Sequence, residues 1–152
     1  MTYKSITRTK ALALSMLAIS AISGNVTGAT FDPTAQVTKP AKEFKFDKIT
    51  PFLKFSDAYG DRASTAHGRF AIIAGKKATP SHIHSAAYHG VVIKGVVTNG
   101  FDGDKNPPKM GPGSYWHVPA NAVHITACVS KEPCMTYVHS DDKFDFIPTE
   151  PK

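Results

Sequence analysis

Short runs of alternating or β-branched apolar residues, cut by glycine and proline every few positions, set the pattern of this chain. Residues 68–74 (GRFAIIA) form a compact apolar run that reads as a strand. Residues 90–98 (GVVIKGVVT) are β-branched and broken by Gly95, which predicts a strand, a tight turn or bulge, and a second strand. Residues 114–118, 124–129 and 135–139 predict three more strands, with a turn at Pro119-Ala120-Asn121. Residues 42–49 alternate, with Phe44 and Phe46 on one side, and residues 143–147 do the same with Phe144 and Phe146. Asp57 to Asp61 reads as a turn, and residues 99–113, with four glycines and three prolines, as a loop. Beyond residue 29 no segment keeps a helical period. The pattern predicts an all-β fold, an antiparallel sandwich or barrel.

The first residues follow a different rule. Lys4, Arg8 and Lys10 precede an apolar run at 11–22, followed by small residues. This is the pattern of a secretory signal peptide, expected at 1–29, with cleavage after Ala29 or nearer Ser23. The alternative is an uncleaved anchor or an ordinary helix, although the run of twelve residues is short of the ~20 needed to cross a bilayer. The remaining chain, 30–152, is expected to be one domain acting in the periplasm or outside the cell, with no membrane contact after processing.

The whole chain of 152 residues carries a formal charge of +6. Without the three leader cations, fifteen Lys and Arg face twelve Asp and Glu. That balance is too weak and dispersed to indicate nucleic acid. Cys128 and Cys134 are spaced for a disulfide in an oxidising compartment, with two free thiols as the alternative.

Candidate chemistry concentrates in two glycine- and proline-fenced blocks, 75–95 and 113–124, which contain His82, His84, His89 and His124. A strand places residues two apart on one face, so His82 and His84 project together. His89 follows a small turn, and His124 must arrive from a crossing strand. Neutral imidazoles suit one divalent transition metal: Cu, Zn, Fe, Mn or Ni. No Asp or Glu occurs from Arg62 to Phe101, so a paired-carboxylate mechanism has no local candidates. Tyr88 and Tyr115 are the candidate catalytic phenols. His117 and His139 could line the pocket or lie on the surface. His67 reads as exposed, and Arg69 and Lys94 as solvated cations, with attraction of an anion as the alternative.

At these residues the chain resembles the cupin superfamily, and is similar to a group of small secreted cupins with H-x-H-S-x2-Y-H-G-V-V-I and G-S-Y-W strings. Gly75, His82-x-His84, His89 and Gly95 approach the first cupin motif, with His89 where the family usually has Glu. Gly113, Pro119-x-Asn121 and His124 follow the second, with Asn121 replacing a glycine and Cys128 an asparagine. The resemblance covers residues 68–146. It implies a double-stranded β-helix, the jelly-roll barrel, and one metal ion held by His82, His84, His124 and His89. An all-His site would be more cationic than one with a carboxylate ligand and would favour anionic substrates. Cupins perform many reactions, so the resemblance alone selects none. The expected function is that of a metal-dependent, dioxygenase-like oxidoreductase acting on a small organic or sugar-like substrate. The alternatives are a non-redox lyase or isomerase, and a non-catalytic ligand- or metal-binding cupin. A homodimer is the assembly that family analogy implies.

Overall fold

The computed structural model describes residue 32 and residues 34–150. The expected signal peptide and its cleavage site lie outside the described residues. Among the described residues, ten strands follow a short 3-10 turn at Ala41–Glu43: β1 Asp47–Lys48, β2 Leu53–Gly60, β3 His67–Ile73, β4 His82–Ile83, β5 Tyr88–Lys94, β6 Val97–Phe101, β7 Tyr115–Val118, β8 His124–Cys128, β9 Cys134–Ser140 and β10 Ile147–Pro148. They form two antiparallel sheets, ordered β1-β2-β3-β9-β5-β7 and β10-β4-β8-β6.

Side-chain parity separates inside from outside. In β9, Cys134, Thr136, Val138 and Ser140 are buried, while Met135, Tyr137 and His139 are partly exposed. In β5, Tyr88, Gly90 and Val92 face inward. The core joins Leu53, Ile73, Val92, Val97, Val118 and Val138 with Tyr88, Trp116 and both cysteines. Gly90 is required by the close approach of Trp116, whose Cζ2 would lie 2.1 Å from an added Cβ.

Cys128 ends β8 and Cys134 begins β9, and their sulfurs form a disulfide with Cα atoms 5.6 Å apart. The bond therefore ties one sheet to the other. Gly95 adopts φ +85° in the turn between β5 and β6, as its position predicts.

Three expectations need correction. The loop expected at 99–113 begins only after β6, which runs to Phe101. Residues 42–49 do not form one strand. They give the 3-10 turn and the two-residue edge strand β1, both of whose residues are exposed. Asp57 to Asp61 is not a turn. β2 continues through it, absorbing an irregularity between Asp57 and Tyr59, and the chain reverses only after Gly60, at φ +67°.

Candidate metal centre

His82 and His124 sit opposite each other on β4 and β8, as direct partners in the ladder. His84 lies two residues beyond His82, so extended backbone returns it to the same inward face. The turn before His124 docks on this segment: Asn121 adopts φ +61° and its N–H donates to the His84 carbonyl at 2.8 Å. Asn tolerates this left-handed conformation better than most residues, which accounts for its place where a glycine would be expected. The two histidine-bearing blocks are thereby closed over one another.

All three histidines are buried, and their ligand atoms lie within 4.8 Å of one another. Backbone carbonyls decide which nitrogens face inward. His82 Nδ1 donates to Pro80 O at 2.9 Å, His124 Nδ1 to Ala122 O at 2.9 Å, and His84 Nδ1 to Asp145 O. A carbonyl only accepts, so each ring carries its proton on Nδ1 and leaves an Nε2 lone pair directed inward. His82 Nε2 and His84 Nε2 are 3.2 Å apart. Two bare lone pairs at this distance repel. With metal–nitrogen bonds of ~2.0–2.1 Å, the same separation subtends about 100° at an ion, close to tetrahedral. The donor set fits a divalent transition ion.

Burial acts on these rings as on any ionisable group in low dielectric. It pushes His82 from 6.5 down to about 4, assisted by the neighbouring His124, and His84 to about 3 against the opposing pull of the Asp145 carbonyl. His124 is lowered for the same primary reason. Between pH 6.5 and about 4 the unfolded chain therefore binds more protons than the folded one. Their contribution to stability is complete above pH 6.5 and is lost as pH falls towards 4. Metal-free protein is expected to melt at progressively lower temperature from pH 7 to pH 5. A flat profile in calorimetry would contradict this electrostatic account.

Two aromatic rings close the centre from the C-terminal side. β10 pairs with β4, Ile147 opposite Ile83 and Pro148 opposite His82. This brings the Phe144 ring to 3.8 Å from His84 and the Phe146 ring to 4.2 Å from His82, the latter stacked. Ser85 anchors the segment, its N–H and hydroxyl donating to the Asp145 carboxylate at 2.8 and 2.5 Å.

The remaining candidates divide by strand parity. Tyr88 is buried on the inner face of β5, with its hydroxyl 3.1 Å from His124 Nε2, to which it donates until that lone pair is taken by an ion. Burial raises its pKa, while Trp116, Thr126 and the Arg69 charge oppose the rise. His89 is the next residue and faces outward. Its Nδ1 meets the hydroxyl of Tyr115 at 2.6 Å, and its ring stacks on His117 with centroids 4.7 Å apart. His89 is thus not with the other three histidines, and Tyr115, 58% exposed, is not at the centre. Both expectations are corrected by the alternation of β5 and β7. His117 and His139 also lie outside, as the ladder partners of His89 on its two sides.

His67 and Arg69, expected at the surface, are instead buried at 0% and 2% exposure. Their spacing in β3 was the available signal, because they share a face with Ala71 and Ile73. Arg69 Nη1 donates to His67 Nε2 at 2.7 Å, and burial lowers the guanidinium pKa to about 9, leaving it cationic at neutral pH. A cavity of about 50 Å³ runs among these groups, lined by Arg69, His82, His84, Tyr88, Trp116 and three threonines, Thr79, Thr126 and Thr136, together with apolar side chains.

A family model described as "Domain of unknown function (DUF4437)" matches residues 56–151. No curated protein matches the chain. Among solved structures, the polyketide cyclase RemF from Streptomyces resistomycificus is similar, with a TM-score of 0.65 at 13% identity over 78% of this chain and 88% of that one. The DMSP lyase DddQ from Ruegeria pomeroyi DSS-3 gives 0.60 at 16% identity, over 80% and 74%. An RmlC-like cupin from Shewanella frigidimarina NCIMB 400 gives 0.58 at 14% identity, over 70% and 92%. At these identities the likeness is one of fold, and that fold is the cupin double-stranded β-helix.

Proposed function

This chain belongs to the family described as Domain of unknown function (DUF4437), and from that premise we propose that it is a mononuclear metal-dependent enzyme acting on a small organic substrate. The observation that carries the reading is the set of three inward Nε2 lone pairs on His82, His84 and His124, each held by a carbonyl behind its ring. When bound there, a divalent ion supplies Lewis acidity that polarises a carbonyl and lowers the pKa of water.

The chain's own contribution is proton handling by Tyr88. Its phenol contacts His124, and no Asp or Glu lines the cavity. Tyr88 is therefore the residue placed to hold or return a substrate proton. Phe144 and Phe146 cover the histidines and limit water. These features favour non-redox chemistry of the lyase or isomerase class, in which the Tyr88 phenol, kept protonated by burial, returns a proton to the carbon beside a carbonyl. The second reading is oxidation by O2. It is favoured by the lack of a carboxylate ligand, which leaves a neutral three-His set with open positions. The leader-like residues 1–29 and the disulfide support an exported protein, since disulfides persist in oxidising compartments. Copper and zinc would then outcompete iron and manganese by affinity.

The test incubates metal-loaded protein in D2O with a panel of small 2-oxo acids, under proton NMR and an oxygen electrode. Deuterium exchange at the carbon beside the carbonyl is expected in the wild type. It should fall about 10²–10⁴-fold in Tyr88→Phe, with metal content unchanged. Oxygen uptake without exchange would favour the second reading. Neither signal, with metal bound, would remove the enzymatic reading for this substrate class.

A further inference from the structure

We propose that Arg69 is the anion-binding pole of the inner cavity and that the ligand it takes is a small carboxylate. This deepens the reading of the metal centre and rests on it for the claim that the carboxylate belongs to a substrate.

The charge of Arg69 is incompletely compensated. Arg69 is 2% exposed, and a buried guanidinium ordinarily needs an anion and a full set of acceptors. Among the described residues it forms no ion pair: the salt bridges there involve Arg62 and His139. One hydrogen bond goes to His67, a neutral partner, and Nε–H has no acceptor. The nearest acid along the sheet is Asp57, the ladder partner of Arg69. Its Oδ2 is engaged by Arg62 Nη1 at 2.5 Å, and its buried Oδ1 forms no hydrogen bond, so the Asp57 charge offsets that of Arg69 only through space.

Phe144 does not remove the deficit. Its ring centre lies 3.4 Å from Arg69 Cζ, so it covers the flat face of the guanidinium. Hydrogen bonds run in the guanidinium plane, and Nε–H remains open. A second donor points to the same conclusion. Trp116 Nε1, buried and lining the same cavity, makes only a loose approach to the Tyr88 hydroxyl, short of a well-formed hydrogen bond. A buried guanidinium with an open donor, beside a second donor loosely held, in a chamber without Asp or Glu calls for a ligand that brings acceptors and negative charge.

Shape selects among anions. The planar edge of Arg matches the two oxygens of a carboxylate. The cavity, about 50 Å³, has room for only a few water-sized positions, at roughly 10–15 Å³ each. A carboxylic acid of a few carbons fits, with its anionic end at Arg69 and its remainder towards Tyr88 and the histidines.

Calorimetric titration of the full chain with acetate, and with acetamide as its uncharged analogue, tests this in metal-free and metal-loaded protein. Acetate is expected to bind in both states and acetamide in neither. Arg69→Met should weaken acetate about tenfold or more, and Arg69→Lys less, with metal stoichiometry unchanged in both. If Arg69→Met does not fold, the acetate–acetamide contrast and Arg69→Lys decide. Equal binding of the two probes, wild-type acetate affinity in folded Arg69→Met, or acetate binding only with metal present would overturn the proposal. Arg69-dependent acetate binding by a protein that takes up no metal would uphold the anion site and remove the metal reading.

Discussion

His82→Ala is expected to weaken metal binding by more than about a hundredfold and to reduce the bound metal from one ion to none at micromolar protein. The bound is argued from outer partners, whose loss alone costs about 10–100-fold in affinity. His82 is closer than that: its Nε2 stands 3.2 Å from His84 Nε2, where an ion between them would bind both. The substitution also removes the ring stacked on Phe146, so some stability is lost even without metal. Metal dependence separates the two effects. A ligand that binds only the folded state raises the melting temperature. Wild type should therefore melt higher with metal than without, and His82→Ala should melt at one temperature in both. His89→Ala should retain the wild-type increment, because His89 lies outside with Tyr115 and His117. A normal increment in His82→Ala, or its loss in His89→Ala, would contradict the assignment.

Reduction of the Cys128–Cys134 bond is expected to cost about 2–3 kcal/mol and lower the melting temperature by on the order of 10 °C. The loop it closes is short, a sequence separation of 6, which places the entropic effect at the low end of the usual range. Position adds to its importance. Both half-cystines are buried, and the bond joins β8, which carries His124, to β9 of the facing sheet. Loss of the bond should therefore loosen the metal centre as well as the fold. Melting in the presence of reductant, with thiol content measured, checks this. An unchanged melting temperature in fully reduced protein would show that packing alone holds the sheets together.

Much of this was legible from residue spacing. His82, His84 and His124 follow from strand parity and from two glycine-fenced blocks, and the structure gathers those three. The misassignment of His89 has a physical lesson. Counting four residues after His84 reaches a histidine, whereas counting three reaches Tyr88 and leaves six before Gly95. The second count preserves the family spacing and places a phenol where a carboxylate would stand. Residue type favoured His89, but a strand admits only one of two neighbours to its inner face, and that is Tyr88.

The burial of Arg69 departs from expectation for a similar reason. A lone cation suggests solvent, yet Ala71 and Ile73 on the same parity already marked an inner face. By contrast, the covering of the histidines by Phe144 and Phe146 was not legible. Alternation aligned the two rings with each other, but their contact with His84 and His82 depends on β10 pairing with β4, some 60 residues away in sequence. At 42–49 the alternation does mark a half-buried face, with Phe44 packed on Phe70, but the chain there is extended without ladder partners until the two-residue β1.

The most direct measurement is metal analysis with X-ray absorption on protein matured in its native compartment. The account predicts one divalent transition ion per chain, with three imidazole nitrogens at ~2.0–2.1 Å that disappear together with the metal in His82→Ala but persist in His89→Ala. A protein that takes up no ion, or an ion whose imidazole shell changes on removal of His89, would contradict it.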